Sequence, residues 1–98
     1  MYRLRISAAA QTDLERLFAF LVEHDIDGAL RARAKIERAY ALLQEFPFAC
    51  RKVDEANVFL RELPVPFGGA GYVILFEIGD EAVVTVTAVR HQREDDYR

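Results

Sequence analysis

Apolar and polar positions alternate strictly from Tyr2 to Ile6, with Tyr2, Leu4 and Ile6 on one side and Arg3 and Arg5 on the other. A period of two marks a half-buried strand. Ser7 can then N-cap a helix that begins at Ala8. Ala10, Leu14, Leu17, Phe18 and Leu21 recur at helical spacing as its buried stripe, while Gln11, Asp13, Glu15, Arg16 and Glu23 fall mostly off it. The pattern predicts a first helix to about Glu23. His24-Asp-Ile-Asp-Gly28 interrupts it, and Asp25 or Asp27 can cap a second helix whose stripe is Ala32, Ile36, Ala39, Tyr40 and Leu43. Phe46-Pro47 stops that helix, because proline disfavours α geometry in the residue before it. So short a turn makes the two helices an antiparallel hairpin.

The second half of the chain reads as strands. Phe48 to Ala56 is polar and predicts a connector, Asn57 to Leu63 a loosely alternating strand, and Pro64 to Gly71 a glycine-rich loop. Tyr72-Val-Ile-Leu-Phe-Glu-Ile78 and Ala82 to Val89 form a hairpin, with Gly79-Asp80 as a two-residue type II′ turn. The predicted class is α+β with the order β-α-α-β-β-β, an antiparallel sheet carrying the helical hairpin on one face, all within one domain spanning residues 1–98. The sheet edge joined by the first strand is left open. In the Tyr72–Ile78 strand, Tyr72, Ile74, Phe76 and Ile78 share one face, yet Val73 and Leu75 make the other apolar too. On the strand that follows, Val83 and Val89 fall on one side and Val84, Val86 and Ala88 on the other. A sheet with one wet face shows polar residues there, so either the C-terminal tail or a partner is expected over the second face.

Composition narrows the partners. Ninety-eight residues, 52% hydrophobic, suffice for one modest core. A net charge of -3 gives no bulk positive field to draw in nucleic acid. The single cysteine, Cys50, excludes an internal disulfide and reads as a small packed residue. No Cys/His cluster has zinc spacing, and neither a metal nor another cofactor is expected. No apolar run approaches the roughly 18 residues of a membrane span, and no signal peptide is evident, so a cytoplasmic protein without membrane contact is expected.

The densest polar feature is the stretch Arg90-His91-Gln-Arg93-Glu-Asp-Asp-Tyr97-Arg98. Arg90, His91, Arg93 and Tyr97, joined by Arg61 from a neighbouring strand, could act on a phosphodiester: imidazole titrates near neutrality and guanidinium binds phosphate through two donors. The ordinary alternative is a solvated tail, because three arginines there are matched by Glu94, Asp95 and Asp96. His24 suits a helix C-terminus, where an imidazolium complements the dipole. Arg31, Arg33, Lys35 and Arg38 read as a solvated helix face before they read as a nucleic-acid contact. Gly68-Gly-Ala-Gly71 precedes a strand and is therefore no nucleotide fingerprint. The residues by themselves carry no strong enzyme signal.

The element order, the Arg61-Glu-Leu-Pro-Val65 segment, the Tyr72–Ile78 strand and the closing Ala88-Val-Arg-His-Gln-Arg-Glu94 together resemble the RelE/ParE superfamily of bacterial type II toxins. Ile6-Ser-Ala-Ala-Ala-Gln-Thr-Asp-Leu14 is similar to the start of the family's first helix. The resemblance covers nearly the whole chain. It implies a toxin held inactive by a cognate antitoxin, with DNA touched only through that antitoxin. RelE-like members cleave mRNA in the ribosome, and for that activity the matching positions here are Arg61, Arg90, His91 and Tyr97. ParE-like members inhibit DNA gyrase without a nuclease site. The acidic chain and the His-Gln-Arg-Glu ending look more like the ParE branch. On that reading no residue is catalytic, Arg90, His91 and Arg93 meet the target, and Val73 and Leu75 meet the antitoxin. The alternatives are a ribosome-dependent endoribonuclease, or a degenerate member that binds antitoxin without being toxic.

Overall fold

A computed structural model describes residues 1–68 and 70–92. Strand β1 (Arg3–Ile6) runs straight into helix α1 (Ala8–His24), and Ser7 caps it by accepting the Ala10 N–H at 3.1 Å. Asp25 serves both helices. Its backbone N–H donates to Leu21 O at 2.6 Å to close α1, and its carboxylate accepts the Gly28 N–H at 3.0 Å to open α2 (Ile26–Glu45). Gly28 therefore lies inside the first turn of α2, although the sequence pattern grouped it with the break. A Cβ at Gly28 would lie 2.6 Å from the Asp25 carboxylate oxygen, so the cap depends on glycine there. Pro47 ends the helical pair in a single 3-10 turn, Pro47–Ala49.

Four strands follow, one more than predicted. Strand β2 (Arg51–Asp54) lies in the segment expected to be a connector; all four of its residues are exposed, so no apolar period marks it. Strand β3 (Asn57–Phe67) continues through Pro64 and Pro66 into the predicted loop. Its register with β2 ends at Glu62, so the prolines lie where β3 is an edge, and an edge tolerates a missing N–H. Strand β4 (Ala70–Gly79) pairs with β3 and with β5 (Val83–His91), both antiparallel. The β4–β5 connection is Asp80–Ala82 rather than a two-residue turn. Its left-handed residues are Glu81 (φ 58) and Ala82 (φ 59), not Gly79 (φ -103).

The sheet order is β1-β5-β4-β3-β2. The edge joined by β1 is thus β5, and the pairing is parallel, with Leu4 beside Val84 and Ile6 beside Val86. A bulge at Thr87 changes the phase of β5: Phe76 pairs with Val86 but Leu75 with Ala88. One extra residue moves every later side chain to the other face. Val84, Val86 and Val89 consequently share the helix-facing core, which corrects the sides assigned to Val89 and Val84 by strict alternation. That core sets Ala10, Ala32, Ile36, Ala39 and Leu43 against Val65, Tyr72, Ile74, Phe76 and Ile78. Each large side chain buried in it contributes on the order of 1.5–3 kcal/mol.

Candidate functional site

Strand β1 stops beside Val86, and β5 runs on to His91. The backbone groups of β5 beyond that point need other partners on the β1 side, because buried amides are rarely left unpaired. Ser7 takes the first, donating its N–H to Val86 O at 3.0 Å and its hydroxyl to Thr87 O at 3.3 Å. Asp13 of α1 takes the next: its Oδ2 accepts the Val89 N–H at 3.0 Å. The same carboxylate accepts Arg90 Nη1 at 2.7 Å and Arg16 Nη2 at 3.0 Å on Oδ1. Asp13 is buried, the Arg90 side chain is 31% exposed and that of Arg16 is 66% exposed. A carboxylate with three donors, two of them cationic, stands in for the missing length of β1. Periodicity had placed Asp13 off the buried stripe. The one hint in the sequence is its position three residues after buried Ala10 and next to Leu14.

His91 faces the opposite side of β5 from Arg90. It pairs with Tyr72 across β4, ring edge to ring face with centroids 5.7 Å apart, and Tyr72 stacks on Phe67 at 5.8 Å. Burial pushes the Tyr72 phenol above its ordinary pKa. Arg61 lies elsewhere. It pairs with Phe76, four positions along β4 from Tyr72, on the far side of β4 from β5. About 13 Å of strand and two strand spacings therefore separate it from His91. Its guanidinium is directed at backbone carbonyls: Nε donates to Val58 O at 2.7 Å, and Nη1 to Cys50 O at 2.8 Å and Phe48 O at 3.2 Å. It also covers the Phe48 ring at 5.2 Å. Arg93 and Tyr97 lie outside the described residues. Among the described positions that match the nuclease pattern, Arg90 and His91 are neighbours on β5 with side chains on opposite faces, and Arg61 stands apart from both.

The sheet face away from the helices carries Val73 and Leu75, flanked in register by Pro64 and Glu62 on β3 and by Arg90 and Ala88 on β5. Val73 is 2% exposed within the chain itself; Leu75 is half-buried. The basic run on α2 is partly neutralised, Arg31 by Asp25 at 3.6 Å and Arg33 by Glu37 at 3.4 Å, while Lys35 and Arg38 rim an open groove against β3. His24 donates Nδ1–H to Phe20 O at 2.8 Å, a helix-end role. Cys50 is buried; burial pushes its thiol pKa up, and the Arg61 charge offsets part of that rise. Among the described residues no His, Cys, Asp or Glu cluster could hold a metal ion, and no helix is long and apolar enough to cross a membrane.

Comparison with known proteins gives a consistent family. Toxin RelE1 of Caulobacter vibrioides is 33% identical over 93 residues, covering 95% of this chain and 96% of the relative. A solved structure described as the chromosomal ParDE TA system from P. aeruginosa superposes with a TM-score of 0.72 at 17% identity, over 93% of this chain and 96% of that one, a likeness of fold. Residues 4–96 match the family model described as the ParE toxin of the type II toxin-antitoxin system, parDE. With nearly the whole length matched and the two-layer fold in agreement, this chain belongs to the ParE toxin family of type II toxin–antitoxin systems.

Proposed function

We propose that this toxin acts by binding DNA gyrase through the end of β5, and that a cognate antitoxin neutralises it by covering the open sheet face. The observation that carries the first half is the register. A nuclease site built from Arg61 and His91 needs both within reach of one phosphodiester, and β4 holds them apart by four positions and two strands. Arg61 is engaged with three carbonyls. The acidic balance, -3 over the chain, is also unfavourable for work inside ribosomal RNA. Arg90 and His91, on opposite faces of the end of β5, and Arg93 two residues later in the sequence are read as contacts for a protein target. The ParDE system of the structural neighbour supports the antitoxin half, and the half-buried Leu75 on the face opposite the helices is the apolar group that motivates assigning the antitoxin to that face.

Purified toxin added to gyrase in a supercoiling assay is expected to inhibit it, with no cleavage of mRNA on translating ribosomes. Loss of a general acid or base slows a reaction by about 10²–10⁴-fold. His91→Gln keeps hydrogen-bonding capacity but cannot titrate, so inhibition is expected to persist in that variant. Ribosome-dependent mRNA cleavage that disappears in His91→Gln would instead establish the RelE-like endoribonuclease. A toxin that binds antitoxin yet is inert in both assays would be a degenerate member.

A further inference from the structure

We infer that Asp13 is a positioning residue for the target-binding end of β5, acting through Arg90. This rests on the reading that Arg90 meets the target. Asp13 belongs to α1, and 77 positions of chain separate it from Arg90. Its two oxygens divide the work. Oδ2 fixes the backbone of β5 at Val89, and Oδ1 holds the guanidinium of the next residue at 2.7 Å. An arginine side chain loses much rotational freedom when it binds a partner. Here that freedom is already lost before any partner arrives, since the guanidinium is tethered to a buried carboxylate. Nη1 is held by Asp13, and the side chain remains 31% exposed for an incoming acceptor. Fixing a contact group in its bound geometry raises affinity mainly by lowering the ordering cost. Arg16 shares Oδ1 but is 66% exposed and lies on α1 itself, so it balances the carboxylate's charge without orienting β5.

The test separates the carboxylate's charge from its role as an acceptor. Asp13→Asn keeps an oxygen for the Val89 N–H and removes the ion pair. It is expected to fold and to bind antitoxin as the unchanged protein does, while the concentration needed to inhibit gyrase rises about tenfold, a coupling within the range of contacting pairs. Arg90→Ala is expected to lose inhibition to at least the same degree, and adding Asp13→Asn to it to cost nothing more. Arg16→Ala is expected to inhibit normally. Equal losses from Asp13→Asn with and without Arg90, or a loss in Arg16→Ala matching that in Asp13→Asn, would overturn the inference. Full inhibition by Arg90→Ala would overturn the target-contact reading and the inference with it; full inhibition by Asp13→Asn beside an inactive Arg90→Ala would overturn the inference alone. Should Asp13→Asn fail to fold, ¹⁵N relaxation of the Arg90 guanidinium in the unchanged protein decides. An ordered side chain is expected, and free reorientation on the nanosecond timescale overturns the inference.

Discussion

Arg61 shows how a charged side chain that looks functional is engaged with the backbone in the fold. Its guanidinium donates to the carbonyls of Phe48, Cys50 and Val58 and so ties the 3-10 turn to the start of β3. Truncation to alanine leaves these largely accessible carbonyls to water, so the cost is the net worth of the lost bonds, about 0.5–1.5 kcal/mol. Arg61→Ala is therefore expected to lower the melting temperature by several degrees, at about 4–8 °C per kcal/mol in a domain of this size. Inhibition per folded molecule should be unchanged, which calorimetry paired with the supercoiling assay would check. Arg61→Lys should not restore stability, because an ammonium cannot span the same acceptors as a planar fork. A loss of inhibition in Arg61→Ala out of proportion to unfolding would return Arg61 to the site. Neither this role nor that of Asp13 was legible in the sequence. Periodicity tells which side of a helix or strand a residue occupies; it does not tell which distant backbone N–H or C=O is left without a partner.

At the scale of elements, those with a strong apolar period were legible and those without were not. β1, α1, α2 and β4 each carry a stripe or alternation that matches their buried face. Strand β2 has none, because an edge strand exposed on all four residues presents nothing to pattern. Pro64 and Pro66 read as loop because proline is excluded from central strands, and the position of β3 past the end of β2 is what permits them. The bulge at Thr87 was also invisible, yet it decides that Val89 packs under the helices. The doubly apolar β4 was read correctly as a sequence feature, and the structure divides its two outward residues. Val73 is already enclosed, so Val73→Asp is expected to unfold the domain rather than to weaken binding. Leu75→Asp, half-buried, is expected to fold and to lose about 2–5 kcal/mol of antitoxin affinity, as a charge left in a buried contact does. Titration calorimetry on the folded variant checks this, and unchanged affinity would remove the open sheet face as the antitoxin site.

For the whole molecule, alkaline pH is the informative stress. Burial raises the phenol pKa of Tyr40 and Tyr72 above the ordinary value of 10.0. A group whose pKa is higher folded than unfolded adds stability below the unfolded pKa, and that stability is lost as pH rises through the folded value. Stability should hold up to about pH 9, where the buried Cys50 thiol, also raised from its ordinary 9.0, begins the decline, and should fall further above about pH 10 as the tyrosines follow. The buried Tyr40 hydroxyl has no hydrogen-bond partner among the described residues. Tyr40→Phe removes an unsatisfied polar group and one titrating site together. It is expected to melt no lower than the parent at neutral pH and to lose less stability between pH 10 and 11, followed by circular dichroism; a clear drop at neutral pH would mean that the hydroxyl is bonded in solution. The parallel pairing of β1 with β5 bears on how the molecule comes into being. Arg3 lies beside Val83, so the first strand of the sheet waits through eighty residues of synthesis for its neighbour. At about 5–20 residues per second that wait is roughly 4–16 s. The helical hairpin has emerged by then, but the sheet cannot close and Asp13 has no β5 to hold. The nascent chain is expected to be inactive until β5 has left the ribosome, and the sheet face assigned to the antitoxin, which needs β4, is completed only in that same last interval.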